Sequence, residues 1–140
     1  MSKPKMVTLY HGTTLNTLKR IKGMKTPVVY GWFTANKLEA RWYAVQRALY
    51  RRKFLDKRGE RAVVIEVKVP EHFMSRGTLV AFQGLVSKRL NWKKWVVAIH
   101  RVKGKMNVSW DHSIRGGVGG GPEIGQLRRL KWKRVRGNRL

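Results

Sequence analysis

An α+β fold is what this chain predicts, on three observations. Short runs rich in Val, Ile, Tyr, Phe and Trp, bounded by Gly, Pro or Asn, recur along it and read as strands. Two stretches in the N-terminal half instead repeat their apolar residues at helical spacing. The 140 residues are 42% hydrophobic, enough for one packed core and too apolar for a wholly disordered chain.

Residues 1–5 read as a loose basic tail. Residues 6–11 form a first strand that stops on His11-Gly12, where a glycine lets the backbone turn and a ligand approach. Leu15, Leu18 and Ile21 then predict a short helix over 14–22, with Thr14 placed to cap it and Gly23 to end it. Val28 to Thr34 is a second strand, with a bend expected at Gly31. Asn36 is a good N-cap for the longest helix, whose stripe is Leu38, Trp42, Val45 and Leu49, thickened by Ala40, Ala44 and Ala48. Arg51, Arg52 and Lys53 in its last turn suit the helix dipole.

Arg61 to Val69 is continuously apolar early and alternates late, as a central strand does, and Pro70 ends it. A single helical turn is expected near 71–74, a strand over 78–82, a turn over 87–91 and a strand over 95–102. Asn107 to Trp110 offers a further short strand. The compositional break lies at Gly116-Gly117-Val118-Gly119-Gly120-Gly121. It reads as a flexible hinge, because a phosphate-cradling loop would carry a Lys-Ser/Thr pair that is absent. The chain thus divides into a domain over 1–115, a glycine-rich hinge over 116–125 and a basic tail over 126–140.

Charge is the loudest compositional signal. Lys and Arg number 32 against 7 Asp and Glu, a formal net charge of +25. Such a chain repels itself and seeks a polyanion, nucleic acid first, because each neutralised phosphate releases counterions. An anionic membrane surface is the rival partner, although no run reaches the length of a spanning helix. In the tail, Arg128, Arg129, Lys131, Lys133, Arg134 and Arg136 alternate with Leu, Val and Trp132, a pattern that grips phosphates and offers an aromatic face. The same letters also describe a solvated tail or a charged edge strand. There is no cysteine, hence no disulfide and no thiolate metal site. The opening apolar stretch is too short for a signal peptide, so the expected location is cytoplasmic or virion-interior rather than secreted.

A histidine closing a strand, beside an open glycine and a helix start, is a place to hold a ribose and an amide, although a locally bonded turn histidine fits the same letters. Read with Gly31-Trp32-Phe33-Thr34 and the helix carrying Ala40 and Tyr43, the chain resembles the ADP-ribosyltransferase superfamily. The likeness is to the poly(ADP-ribose) polymerases and small phage-type members, over roughly residues 7 to 86. It implies a compact split β-sheet core and NAD as co-substrate. It also implies that His11 bonds a ribose hydroxyl, that the Gly12 backbone pairs with the nicotinamide amide, and that Tyr43 stacks on the nicotinamide ring. Thr13, Trp32 and Thr34 complete the implied cofactor set. Trp32 stands where the family carries tyrosine, and Ala40 where the polymerases carry serine. Thr78 falls at the position of the family's glutamate. Gln83 is the nearest polar stand-in, with Glu66 on the preceding strand as another.

The reaction so implied is transfer of ADP-ribose to nucleic acid or a nucleic-acid-associated protein. The competing expectation is a non-catalytic, strongly basic nucleic-acid-binding or packaging protein on the same scaffold. No metal is expected, because His11, His72, His100 and His112 lack zinc-helix spacing. His100, in an apolar strand, reads as a structural histidine. Trp92, Trp95, Trp110 and Trp132 read as core or interface more readily than as stacking groups.

Overall fold

The computed structural model describes residues 5–57, 59–75, 79–80, 85–103 and 131–135. Its elements are β1 (Met6–Thr14), α1 (Leu15–Lys22), β2 (Val28–Thr34), α2 (Lys37–Phe54), β3 (Ala62–Pro70), α3 (His72–Ser75), β4 (Leu79–Val80), β5 (Leu85–Asn91), α4 (Trp92–Trp95), β6 (Val96–Lys103) and β7 (Lys131–Val135). The fold is α+β, with an antiparallel sheet in the order β4-β5-β2-β1-β3-β6-β7.

β3 lies inside the sheet, and its side chains are buried on both faces. Val63, Ile65 and Val67 join Leu9, Phe33 and Ile99 in one core, against which Leu18 and Ile21 of α1 pack. Val64 on the opposite face belongs to a second core with Tyr10, Ala40, Ala44, Val45 and Ala48. One helix therefore packs on each face of the central strands, and strand alternation decides which residue meets which helix. The α2 stripe differs from expectation. Its small residues Ala40, Ala44 and Ala48 are fully buried, whereas Leu38, Trp42 and Leu49 sit only partly buried at the flank. Alanine wins because the helix backbone comes very close to β1. A Cβ on Gly12 would run into the Ala40 carbonyl oxygen and lie 2.8 Å from the Ala44 nitrogen.

Two zipped halves make up the sheet. β1 pairs with β3 from Met6 opposite Pro70 to Thr14 opposite Ala62, and β2 pairs with β5 from Val28 opposite Asn91 to Thr34 opposite Leu85. Between β1 and β2 the register holds only at Tyr10 and Thr34. The halves thus meet along a narrow seam, and the strands part on either side of it.

Several local expectations change. β1 does not stop at His11-Gly12 but runs on to Thr14, because β3 is long enough to pair with all of it. Thr14 occupies the N-cap position of α1 without a capping bond; its Oγ1 lies 3.1 Å from Thr17 Oγ1. The Asn16 N–H is instead satisfied 44 residues away in sequence, donating to Glu60 Oε1 at 3.0 Å. Asn36 does cap α2, accepting from the N–H groups of Leu38 and Glu39. Residues 87–91, expected as a turn, are strand: β5 alternates Arg89 outward and Leu90 inward, and pairing with β2 outweighs the polar composition. The expected strands over 78–82 and 95–102 correspond to β4 at Leu79–Val80 and to β6 beginning at Val96. Residues 107–110 and the glycine-rich 116–125 lie outside the described residues. Part of the basic tail, Lys131–Val135, is β7, paired along β6 from Lys103 opposite Lys131 to Ile99 opposite Val135.

Candidate functional site

At the β1–β2 seam the parted strands leave a pocket of about 490 Å³, roofed by α2 and bordered by α1. Its volume falls within the ~300–1,000 Å³ of small-molecule sites. His11, Gly12, Thr13, Trp32, Thr34 and Tyr43, picked out from sequence at scattered positions, all line it. Gly12 is the exception in how it contributes. Its missing side chain admits the backbone of α2 rather than a ligand, since any Cβ there collides with Ala40 and Ala44.

His11 is held from two sides. Its Nδ1 lies 2.8 Å from the Trp32 carbonyl oxygen, and its ring centroid is 5.1 Å from that of Phe33. A carbonyl can only accept, so Nδ1 carries the hydrogen and Nε2 is left as an acceptor. Burial pushes the imidazole below the usual histidine range, the bond to Trp32 partly opposes this, and the Arg47 charge lowers it further. At neutral pH the ring is therefore uncharged. Room for it comes from Gly31, whose φ is 141° and whose imaginary Cβ would stand 2.7 Å from the His11 Cε1. That φ is open to glycine and strained for other residues. Gly31, where a bend was expected, keeps its register opposite Lys88 and serves instead as the seat of the histidine.

Tyr43 stands on α2, edge-on to Trp42 with centroids 4.9 Å apart. Burial raises its phenol above the usual range, and the Glu39 charge adds to the effect, so the hydroxyl keeps its proton. Glu39 itself sits behind the pocket wall, accepting from Thr34 Oγ1 at 3.4 Å; burial raises its carboxyl and the Thr34 bond partly offsets this.

Three arginines of the pocket, Arg20, Arg47 and Arg51, were not among the residues selected from sequence. The signal was present in the spacing: Tyr43, Arg47 and Arg51 recur every fourth residue and so share one face of α2. Arg51 is anchored by the buried Glu60, with Nη1 3.5 Å from Oε2. Tyr30, which also lines the pocket, was likewise passed over. The lining is mixed as a result. Trp32, Tyr30 and Tyr43 supply aromatic rings, while Thr13, Thr17, Arg20, Arg47 and Arg51 supply hydroxyls and cations. Among the described residues no carboxylate lines it. Such a lining suits a ligand that carries both a flat ring and phosphates.

Thr78 and Gln83, assigned to the glutamate position, lie outside the described residues. Glu66, the other stand-in, is not in the pocket; it lies on β3 with Oε1 2.8 Å from the Nε2 of His100, a half-buried pair that accounts for the histidine expected to be structural. In the tail, Arg128, Arg129 and Arg136 are outside the described residues, whereas Lys131, Trp132, Lys133 and Arg134 belong to β7. β3 and β6 separate that strand from the seam. Among the described residues no group of His, Asp or Glu is arranged to hold a metal ion, and no helix is long and apolar enough to cross a membrane. No family model matches the chain, and neither a curated protein nor a solved structure does.

Proposed function

We propose that the seam pocket binds a nicotinamide dinucleotide and that the protein is an ADP-ribosyltransferase-like enzyme acting on nucleic acid or a protein bound to it. One observation carries the reading: the neutral imidazole of His11 and the protonated phenol of Tyr43 line the same cavity as Arg47 and Arg51. His11 Nε2 accepts from a ribose hydroxyl, Tyr43 stacks on the nicotinamide ring, and the arginines neutralise the pyrophosphate. In transfer, the bond between ribose C1′ and the nicotinamide nitrogen breaks, an acceptor atom bonds to C1′ and loses its proton, and nicotinamide leaves. The pocket contributes by holding the dinucleotide in reacting geometry. Gln83, two residues before β5 in the sequence, is the group to examine for acceptor activation.

Calorimetry with NAD, and nicotinamide as competitor, tests the pocket. Binding should weaken by about tenfold or more in Tyr43→Ala and in His11→Ala, one lost contact being worth about 1–2 kcal/mol. No binding by the native chain, or binding that nicotinamide leaves untouched, rejects it. A second reading is favoured by the lack of a carboxylate among the described pocket residues. On this reading the scaffold is a non-catalytic, basic nucleic-acid-binding module. Nicotinamide release from NAD separates the two, since only an enzyme yields it and only an enzyme loses it on His11→Ala.

A further inference from the structure

The outer face of β2 carries large aromatic side chains that the core does not use. Tyr30 is 72% exposed and Trp32 43%, whereas Val29 and Phe33, which flank them in sequence, are fully buried. Two residues apart on a strand, the exposed rings project from one face about 7 Å from each other. Arg89 lies directly across from Tyr30 on β5, is exposed, and is fixed there by the register. Both Tyr30 and Trp32 also line the seam pocket, where Arg20 and Arg47 add further exposed cations. Leaving two such rings in water is unfavourable unless something covers them. A chain with a net charge of +25 selects an anionic cover.

We propose that β2 is a stacking platform for single-stranded nucleic acid, with successive bases on Tyr30 and Trp32, a phosphate on Arg89 and the strand led toward Arg47 at the pocket. A single strand fits because its bases expose their faces, which a duplex conceals, and because rings stepped along a β-strand suit a stretched backbone. An acidic peptide satisfies the cations but has no flat faces for the rings. The platform deepens the reading of the pocket as a transferase site by presenting the acceptor, yet its strand-binding property stands apart from NAD.

The test is fluorescence anisotropy of the full chain with a labelled oligothymidylate, without NAD, across a salt series. Tyr30→Ala and Trp32→Ala should each weaken binding by about tenfold, in line with the loss of one base stack. Tyr30→Phe should restore it, because the ring and not the hydroxyl is needed. Arg89→Gln should reduce the salt slope by about 0.7, the value for one phosphate contact on a single strand. Tyr30 is exposed enough for its alanine variant to fold, and the phenylalanine variant controls for that. Unchanged affinity in both alanine variants overturns the proposal, as does tighter binding of the matching duplex or equal displacement by polyglutamate. Failure of NAD calorimetry with these oligonucleotide results intact rejects the dinucleotide reading alone; the reverse outcome rejects the platform alone.

Discussion

His11 is a residue whose chemistry depends on its neighbours. Strand pairing carries it to the seam, the missing side chain of Gly31 makes its seat, and the Trp32 carbonyl chooses its tautomer. Its lowered pKa makes a prediction with a definite sign. The unfolded chain binds a proton on this ring near pH 6.5, whereas the folded chain binds it only at lower pH. Between those values the unfolded state holds more protons, so the stabilising contribution is complete above about pH 6.5 and is lost as pH falls toward the folded pKa. Urea unfolding of the native chain should therefore show stability dropping over that window, and His11→Gln should flatten that part of the profile. A profile identical in both proteins would mean that the ring is solvated. The histidine and the aromatic at position 43 were both legible in sequence. The tautomer and the lowered pKa were not, because a carbonyl 21 residues away sets the first and tertiary burial, helped by the Arg47 charge, sets the second.

At the scale of elements, the contact of β1 with α2 sets the geometry of the pocket. Tyr43, Arg47 and Arg51 reach the cavity because their helix backbone rests on Gly12. Gly12→Ala should force α2 outward and destabilise the fold by about 1–3 kcal/mol, the range for overpacking. A shifted denaturation midpoint would report it, and an unchanged midpoint would show that the helix yields freely. Gly12 illustrates how a sequence reading can find the right residue for the wrong reason: glycine does permit close approach, and the approaching group is the helix. The N-terminus of α1 is similar. Thr14 has the composition of a cap, but the buried carboxylate of Glu60 takes the task, bonding the Asn16 N–H and Arg51 together. Local preference is worth about 1 kcal/mol at such a position, and a distant side chain of higher charge can override it.

For the whole molecule, self-repulsion is the governing term. The few described acids are largely engaged, Glu60 with Arg51, Glu66 with His100 and Glu71 with Lys5. At the sheet edge the register sets Lys103 opposite Lys131 and Arg101 opposite Lys133. Like charges across a strand pair destabilise it, and salt screens them. The melting temperature should therefore rise with added sodium chloride while affinity for a polyanion falls, two opposite responses to one variable. A melting temperature indifferent to salt would show that the charge is already neutralised within the fold. Trimming the chain after residue 130 is a poor probe of polyanion binding, because it also removes β7 and bares the edge of β6.

The amino-acid sequence alone determined the α+β class, the positions of the first two helices, the two-faced burial of β3 and the cationic character, because each follows from periodicity or composition within a short window. It also marked six of the residues that line the pocket, His11, Gly12, Thr13, Trp32, Thr34 and Tyr43. Only the tertiary structure decided that β1 and β2 touch at one pair, that a cavity opens there, that three arginines share it, and that part of the basic tail is a strand at the far side of the sheet. Those outcomes depend on pairing between segments remote in the chain, where backbone hydrogen bonds and burial outweigh the weak preferences that any local stretch expresses.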